Sequence, residues 1–173
     1  MKDTRDLGIR QLEFSRQHGL YATSEASYNL MVAYVDNGQH EKAFKLLGSI
    51  VEEKGASNIS DLYYEGRLLI LFNRWEEAES NFRTILQRLE EKKTPTVGYI
   101  VECKYWIAAS LKMQNRTYRA LQLAEEDLAQ SEKWNIETEL ESPFESFRDL
   151  KKRLKGLRKE LKIDNEHILV KGK

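Results

Sequence analysis

Three histidines, one cysteine and the carboxylate run Glu76, Glu77 and Glu79 are the side chains of this chain best suited to metal, nucleophilic or acid–base chemistry. Their spacing supports none of the three. His18, His40 and His167 are scattered, and none stands at a metal-ligand spacing from a second ligand pair. Cys103 falls in mid-helix next to Lys104, a setting in which a buried or idle thiol is the ordinary outcome. With no second cysteine there is no internal disulfide, and a reducing compartment is the simplest reading. The three glutamates lie in the first turn of a helix, where they complement its dipole without any catalytic role. Neither a phosphate-binding glycine loop nor a Gly-x-Ser-x-Gly elbow occurs. The expectation is a protein that is not an enzyme, with no metal and no cofactor.

Charge offers a different chemistry. From 148 to 173 ten basic residues face four acidic ones, a net of +6, so the other 147 residues carry −6. Lys151, Lys152, Lys155 and Lys159 head this basic surface. Such asymmetry suits an acidic partner, RNA or an anionic membrane surface. The alternative is the solvated outer face of a helix that also balances the acidic runs "EED" and "ETELE" before it. No aromatic residue interleaves with the basic face to stack bases, so nucleic acid is the less favoured partner and the solvated face the preferred reading.

The elements that would carry these residues are helices. The chain has 173 residues, 32% charged and 40% hydrophobic, with two prolines, nine glycines and no net charge. That composition fits one domain able to bury a core without staples, and it favours neither disorder nor membrane residence. No stretch approaches the roughly 18–20 apolar residues of a membrane span. The start "MKDTRDLGIRQLEFSRQHG" has no apolar signal core and carries acids that a transit peptide avoids. The reading is cytoplasmic, with the nucleus also compatible.

Apolar residues recur at three and four almost throughout. A weakly amphipathic helix over 3–18 ends at His18-Gly19. Helices then follow over 24–36, with Leu30 and Tyr34 inward, and through Ala43, Leu47, Ile50 and Val51. Ser60 can cap the next, which carries Leu62, Gly66, Leu69 and Phe72. Its successor has the cleanest stripe: Trp75, Ala78, Phe82, Ile85, Leu86 and Leu89. After the loop "EEKKTPTVG", where Thr94-Pro95 makes a cap and first turn, a third pair spans 97–113 and 117 to about 133. In "SPFE" Ser142, Pro143 and Glu145 have the order of a capping box, ahead of the stripe Phe147, Leu150, Leu154, Leu157 and Leu161. Only "HILV" near the end alternates like a strand, so the fold class is all-α. Trp75, Trp106 and Trp134 sit on or beside apolar faces and read as core packing more readily than as binding hot spots.

Three segments superpose without gaps: "VDNGQHEKAFKLL" (35–47), "LFNRWEEAESNF" (71–82) and "KMQNRTYRALQLA" (112–124). In that register Gly38, Asn73 and Asn115 share a position, and Ala43, Ala78 and Ala120 share another five residues on. Glycine and asparagine enter the left-handed backbone region cheaply, so the first position is a helix stop. The shared alanine is where two helices approach closely. Paired helices of this kind, recurring at about 34 residues, resemble the tetratricopeptide repeat. Leu30, Tyr34, Gly38, Ala43 and Leu47 match the family pattern in the first unit, Leu62, Gly66, Ala78 and Phe82 in the second, and Ile107, Ala108, Leu111 and Ala120 in the third. Met31, Glu65 and Lys104 depart from it, as does the 42-residue step from Ala78 to Ala120 after one of 35. The organisation expected is a single domain over 1–173. It comprises an N-terminal helix over 1–19, repeats at 24–57, 59–93 and 95–134, a capping helix over 142–163 that covers the end of the stack, and a tail.

The resemblance implies a right-handed superhelix whose first helices line a concave groove for a peptide or a partner's helix. In register, Tyr28, Tyr63 and Tyr105 fall in one column that faces the groove in that family, or the inter-helix core if the register slips by one residue. Arg67 and Lys112 lie a turn further along. These five are the candidate contact residues, on a surface where tyrosine gives wide area at low entropy cost. Alanine at Tyr63 is then expected to weaken binding without unfolding the domain. The family's clamp for the carboxylate of chaperone tails is missing, since Tyr28, Val32, Tyr64, Glu102 and Trp106 occupy its positions. The function expected is a non-enzymatic interaction module or scaffold. The alternatives are a peptide-responsive sensor of the same type, or binding of nucleic acid or an acidic partner through the basic C-terminal helix.

Overall fold

The computed structural model describes residues 5–18, 23–54, 58–91, 97–134 and 146–171, and among them every regular element is an α-helix. The helices are α1 (Arg5–His18), α2 (Thr23–Asp36), α3 (His40–Lys54), α4 (Ile59–Leu71), α5 (Trp75–Glu90), α6 (Val97–Met113), α7 (Thr117–Ser131) and α8 (Phe147–Lys171). The expected bounds hold to within a residue or two except at the end. There, α8 runs from Phe147 to Lys171 where a helix over 142–163 was expected, and its backbone is helical through 168–170, where alternation suggested a strand. The Thr94-Pro95 turn and the "SPFE" capping box lie outside the described residues. Ser146 caps α8 instead: its hydroxyl donates to Asp149 at 2.7 Å and accepts from the Asp149 amide at 3.2 Å.

The chain divides into two compact units, residues 1–71 and 72–173. In the first, α1 packs on α2, α2 on α3 and α3 on α4. Leu30, Met31, Tyr34, Ala43, Leu47, Ile50 and Leu68 form its core with Ile9 of α1. Met31, a departure from the family pattern, is fully buried there. In the second unit α6 is central, packed against α5, α7 and α8, and it is buried around most of its circumference from Gly98 to Leu111. A helix enclosed on most sides needs apolar or small residues on most sides. Its neighbours need only a stripe: Ala78, Phe82, Ile85 and Leu89 on α5, Ala120, Ala124 and Leu128 on α7, and Leu150, Leu154, Leu157 and Leu161 on α8.

The repeated joint is a physical repeat. Gly38, Asn73 and Asn115 have φ of 70°, 57° and 60°, and each sits in a three-residue connection between helices. At Gly38 the amide bonds to the Val35 carbonyl at 3.0 Å and the next amide, of Gln39, to Tyr34 at 2.7 Å. Asn115 and Arg116 make the same two bonds to Lys112 and Leu111, each at 2.9 Å, completing Schellman caps on α2 and α6. The next helix is started identically three times. The amides of Ala43, Ala78 and Ala120 donate to the carbonyls of Gln39, Arg74 and Arg116 at 3.1, 3.0 and 3.1 Å, and all three alanines are fully buried.

A glycine comparison tests this geometry. A Cβ at Gly38 meets nothing within 4 Å, so Gly38→Ala costs only the left-handed backbone strain, about 1 kcal/mol. Gly48 and Gly156 sit in mid-helix with equally open surroundings and ordinary helical φ, so alanine there raises stability by about 1 kcal/mol. Urea unfolding of the three variants checks the opposite signs.

Candidate interaction surfaces

In the first unit the candidate residues meet in an aromatic cluster built by α2 and α4. The start of α4 is a reciprocal cap: the Asn58 amide donates to Asp61 Oδ2 and the Asp61 amide to Asn58 Oδ1, both at 2.9 Å. Asn58, not Ser60, is therefore the capping residue, because its side chain reaches the third residue of the helix with Asp61 returning the bond. Asp61 is buried, and its Oδ1 also accepts the Tyr28 hydroxyl, so one carboxylate fixes the helix start and ties α2 to α4.

Above this tie the Tyr28 and Tyr64 rings stack with centroids 5.4 Å apart, and Tyr63 meets Tyr64 edge-on at 6.2 Å. Arg67 donates to the Tyr63 hydroxyl at 2.9 Å, with its guanidinium 5.9 Å from the centre of that ring. Tyr28, Tyr64 and Arg67 are half-buried and border solvent, whereas Tyr63 is only 3% exposed. Of the two settings the register left open, Tyr63 takes the interior one. Burial, followed by the neighbouring Tyr28, raises the pKa of Tyr64. Tyr64 and Asp61 were missed as cluster members, although the spacing Asn58-x-x-Asp61 already spells the cap.

A polar cleft of about 320 Å³ lies elsewhere in this unit, between α1, α2 and α3. Tyr34 donates to Glu13 Oε1 at 2.5 Å there, Lys42 stands 5.4 Å from the centre of its ring, and Arg16 donates to Ser49 at 3.0 Å. Burial first, then the hydrogen bond to Glu13, pushes the Tyr34 phenol up to about 12.

In the second unit the candidates are more firmly engaged. Tyr105 is half-buried and meets Trp106 edge-on at 4.8 Å; Trp106 is buried and stacks on Phe82 at 6.1 Å. The Lys112 ammonium donates to Glu160 of α8, which makes it a tie between α6 and α8 as well as a surface charge. Trp134 is buried edge-on against Phe147 at 4.3 Å, while Trp75 is half-buried. The glutamate run divides. Glu77 is exposed and held in two bonds of 2.6 Å by Arg74, and the hydrogen bond from Arg74 lowers its pKa. Glu79 is buried and accepts from Arg83 at 2.8 Å, Gln114 at 2.8 Å and Arg116 at 3.1 Å. It is a structural hub that fastens α5 to the α6–α7 joint.

Between α6 and α7 lies an unexpected polar group. Asp127 is fully buried, and neither of its carboxylate oxygens has a hydrogen-bond partner among the described residues. It sits seven residues after Ala120, the place filled by Ile50 after Ala43 and by Ile85 after Ala78, both buried. Desolvation raises the Asp127 carboxyl to about 8, against a smaller opposing pull from Lys104, whose ammonium donates to Gln130 at 2.6 Å. Cys103 is buried nearby; burial, then Glu102 and Asp127, push its thiol upward and keep it protonated at neutral pH. The register that aligns the alanines carries the signal that was missed, an acid in an isoleucine column.

The basic candidates Lys152, Lys155 and Lys159 are exposed on α8, and Lys151 is half-buried with its ammonium 5.2 Å from the centre of the Phe147 ring. Among the described residues no group of three or more His, Cys, Asp or Glu side chains could hold a metal ion, and no helix is long and apolar enough to cross a membrane. Comparison of the chain with protein-family models and with curated proteins finds no match.

Proposed function

We propose that the chain is a helical-repeat interaction module of tetratricopeptide type, which binds a peptide or a partner's helix and catalyses no reaction. The observation that carries this reading is the joint made three times on one plan: a left-handed residue, a three-residue connection, and a buried alanine whose amide makes the same first-turn bond in the next helix. A unit that recurs with its backbone bonds intact is built for stacking, and stacked helix pairs leave extended faces exposed for recognition. The contact faces are those of the first helices in each unit, around Tyr28, Tyr64 and Arg67 in one and Tyr105 in the other, with α8 in the role of a cap on the second. Tyr63 supports Arg67 from within, and Lys112 contributes only where its bond to Glu160 yields. Because these side chains are already held by neighbours, the ordering cost of binding falls mainly on the incoming peptide.

Affinity capture from a native lysate tests this. The intact chain is compared with a Tyr28→Ala/Arg67→Ala/Tyr105→Ala variant of unchanged helicity by circular dichroism. Proteins retained by the first and lost from the second support the reading. An identical set on both counts against it.

A further inference from the structure

Helix α8 carries two parallel stripes. Phe147, Leu150, Leu154, Leu157 and Leu161 are buried on one side. On the other, Arg148, Lys152, Lys155, Lys159 and Lys162 follow one another at alternating spacings of four and three, all exposed. That alternation keeps successive side chains on one face, so the cations form a straight row about 21 Å long.

Little in the described chain neutralises this row. Lys162 is held by Glu125 of α7 at 3.3 Å, but Arg148, Lys152, Lys155 and Lys159 make no ion pair among the described residues. The acids of α8 stand aside: Asp149 is engaged with the cap at Ser146, Glu160 accepts from Lys112, Asp164 is half-buried and off the line of the row, and Glu166 falls on that line only beyond Lys162. Like charges three and four residues apart destabilise a helix, so α8 bears a repulsion that an outside anion would relieve.

We infer that the outer face of α8 is a docking surface for an acidic amphipathic helix of a partner protein, with Glu or Asp repeating at four and three. Such a helix repeats its charges about every 5 Å and can set a carboxylate opposite each cation along the whole row. Duplex phosphates recur about every 3.4 Å along each strand and fall out of step with it. The row contains no aromatic side chain to stack on bases, and Ile163, 46% exposed and four residues after Lys159, is one apolar side chain beside it where seating in a bilayer needs an apolar face. This row shares no residue with the tyrosine faces, so either reading can fail alone.

Fluorescence anisotropy at low salt tests the inference on the full chain. The probes are a labelled helical peptide with Glu at four-three spacing, a shuffled peptide of the same composition, a 20-base-pair duplex, and vesicles of phosphatidylcholine with phosphatidylserine. The patterned peptide is expected to bind at least about tenfold more tightly than the shuffled one, with Lys152→Glu/Lys155→Glu/Lys159→Glu losing that binding at unchanged helicity. A Lys→Gln set at the same positions, which adds no new charge, should lose most of it too. Equal binding of the two peptides overturns the inference, because net charge would then suffice. Tighter binding of duplex or vesicles overturns it in favour of a phosphate-bearing partner, and unchanged affinity of both variant sets removes the row from the site.

Discussion

Asp127→Asn is expected to gain stability over the parent chain as pH rises from 5 to 9, by roughly 4 kcal/mol across that range. The cause is the buried carboxyl between α6 and α7, raised to about 8 chiefly by desolvation. In the unfolded chain the same group titrates near its ordinary value of 3.8. Between those two values the folded state holds a proton that the unfolded state has released. The stability associated with the protonated form is therefore fully present below about pH 4 and is lost as pH climbs through about 8. Asparagine cannot ionise, so the parent falls away from it with rising pH. Asp127→Ile, which copies the residue type of Ile50 and Ile85, goes further by removing a buried polar group without partners, and should raise the melting temperature by roughly 6–12 °C at pH 8 if α6 and α7 accommodate the added volume. Thermal melts of the three proteins at pH 5, 7 and 9 decide it; parallel pH profiles for parent and Asn variant would clear Asp127 of the effect.

Tyr63→Ala is expected to cost about 3 kcal/mol, seen as a fall of roughly 6–12 °C in melting temperature. The side chain is 3% exposed, meets Tyr64 edge-on and accepts the Arg67 hydrogen bond, so alanine leaves a cavity and takes away the acceptor of that bond. This replaces the expectation, based on register alone, that alanine at Tyr63 would act only on binding. Tyr63→Phe separates the two parts: it keeps the ring and should cost about 1 kcal/mol. Arg67→Ala, at a half-buried side chain, should change stability by less than about 1 kcal/mol. A Tyr63→Ala variant that melts with the parent would return Tyr63 to the open face.

The helices and their joints were legible because they depend on local chemistry. Positive φ at Gly38, Asn73 and Asn115 follows from residue type, and the burial of Ala43, Ala78 and Ala120 follows from register. The leucine stripe of α8 was equally plain, since a three-four period can be satisfied only by burying one face. What escaped depended on partners distant in sequence. Tyr28 and Asp61 are 33 residues apart, and Lys112 and Glu160 are 48 apart. No local pattern announces either tie, yet each takes a candidate contact residue into the scaffold. Which of three column-mates would be buried was likewise beyond periodicity: Tyr63 turns inward while Tyr28 and Tyr105 keep an edge to solvent. The division into two units at residues 71 and 72 falls inside what the repeat pattern treats as one helix pair.

The position of α8 has a consequence for synthesis. Its leucines belong to the core of the second unit, yet α8 begins at Phe147 and α5 at Trp75. At usual translation rates of about 5–20 residues per second, roughly 4–14 s pass between the two starts. Residues 1–71 contain the whole first unit and can collapse in that interval. The faces of α6 and α7 that α8 will cover stay open to water until α8 leaves the ribosome, and during that time they are available to chaperones.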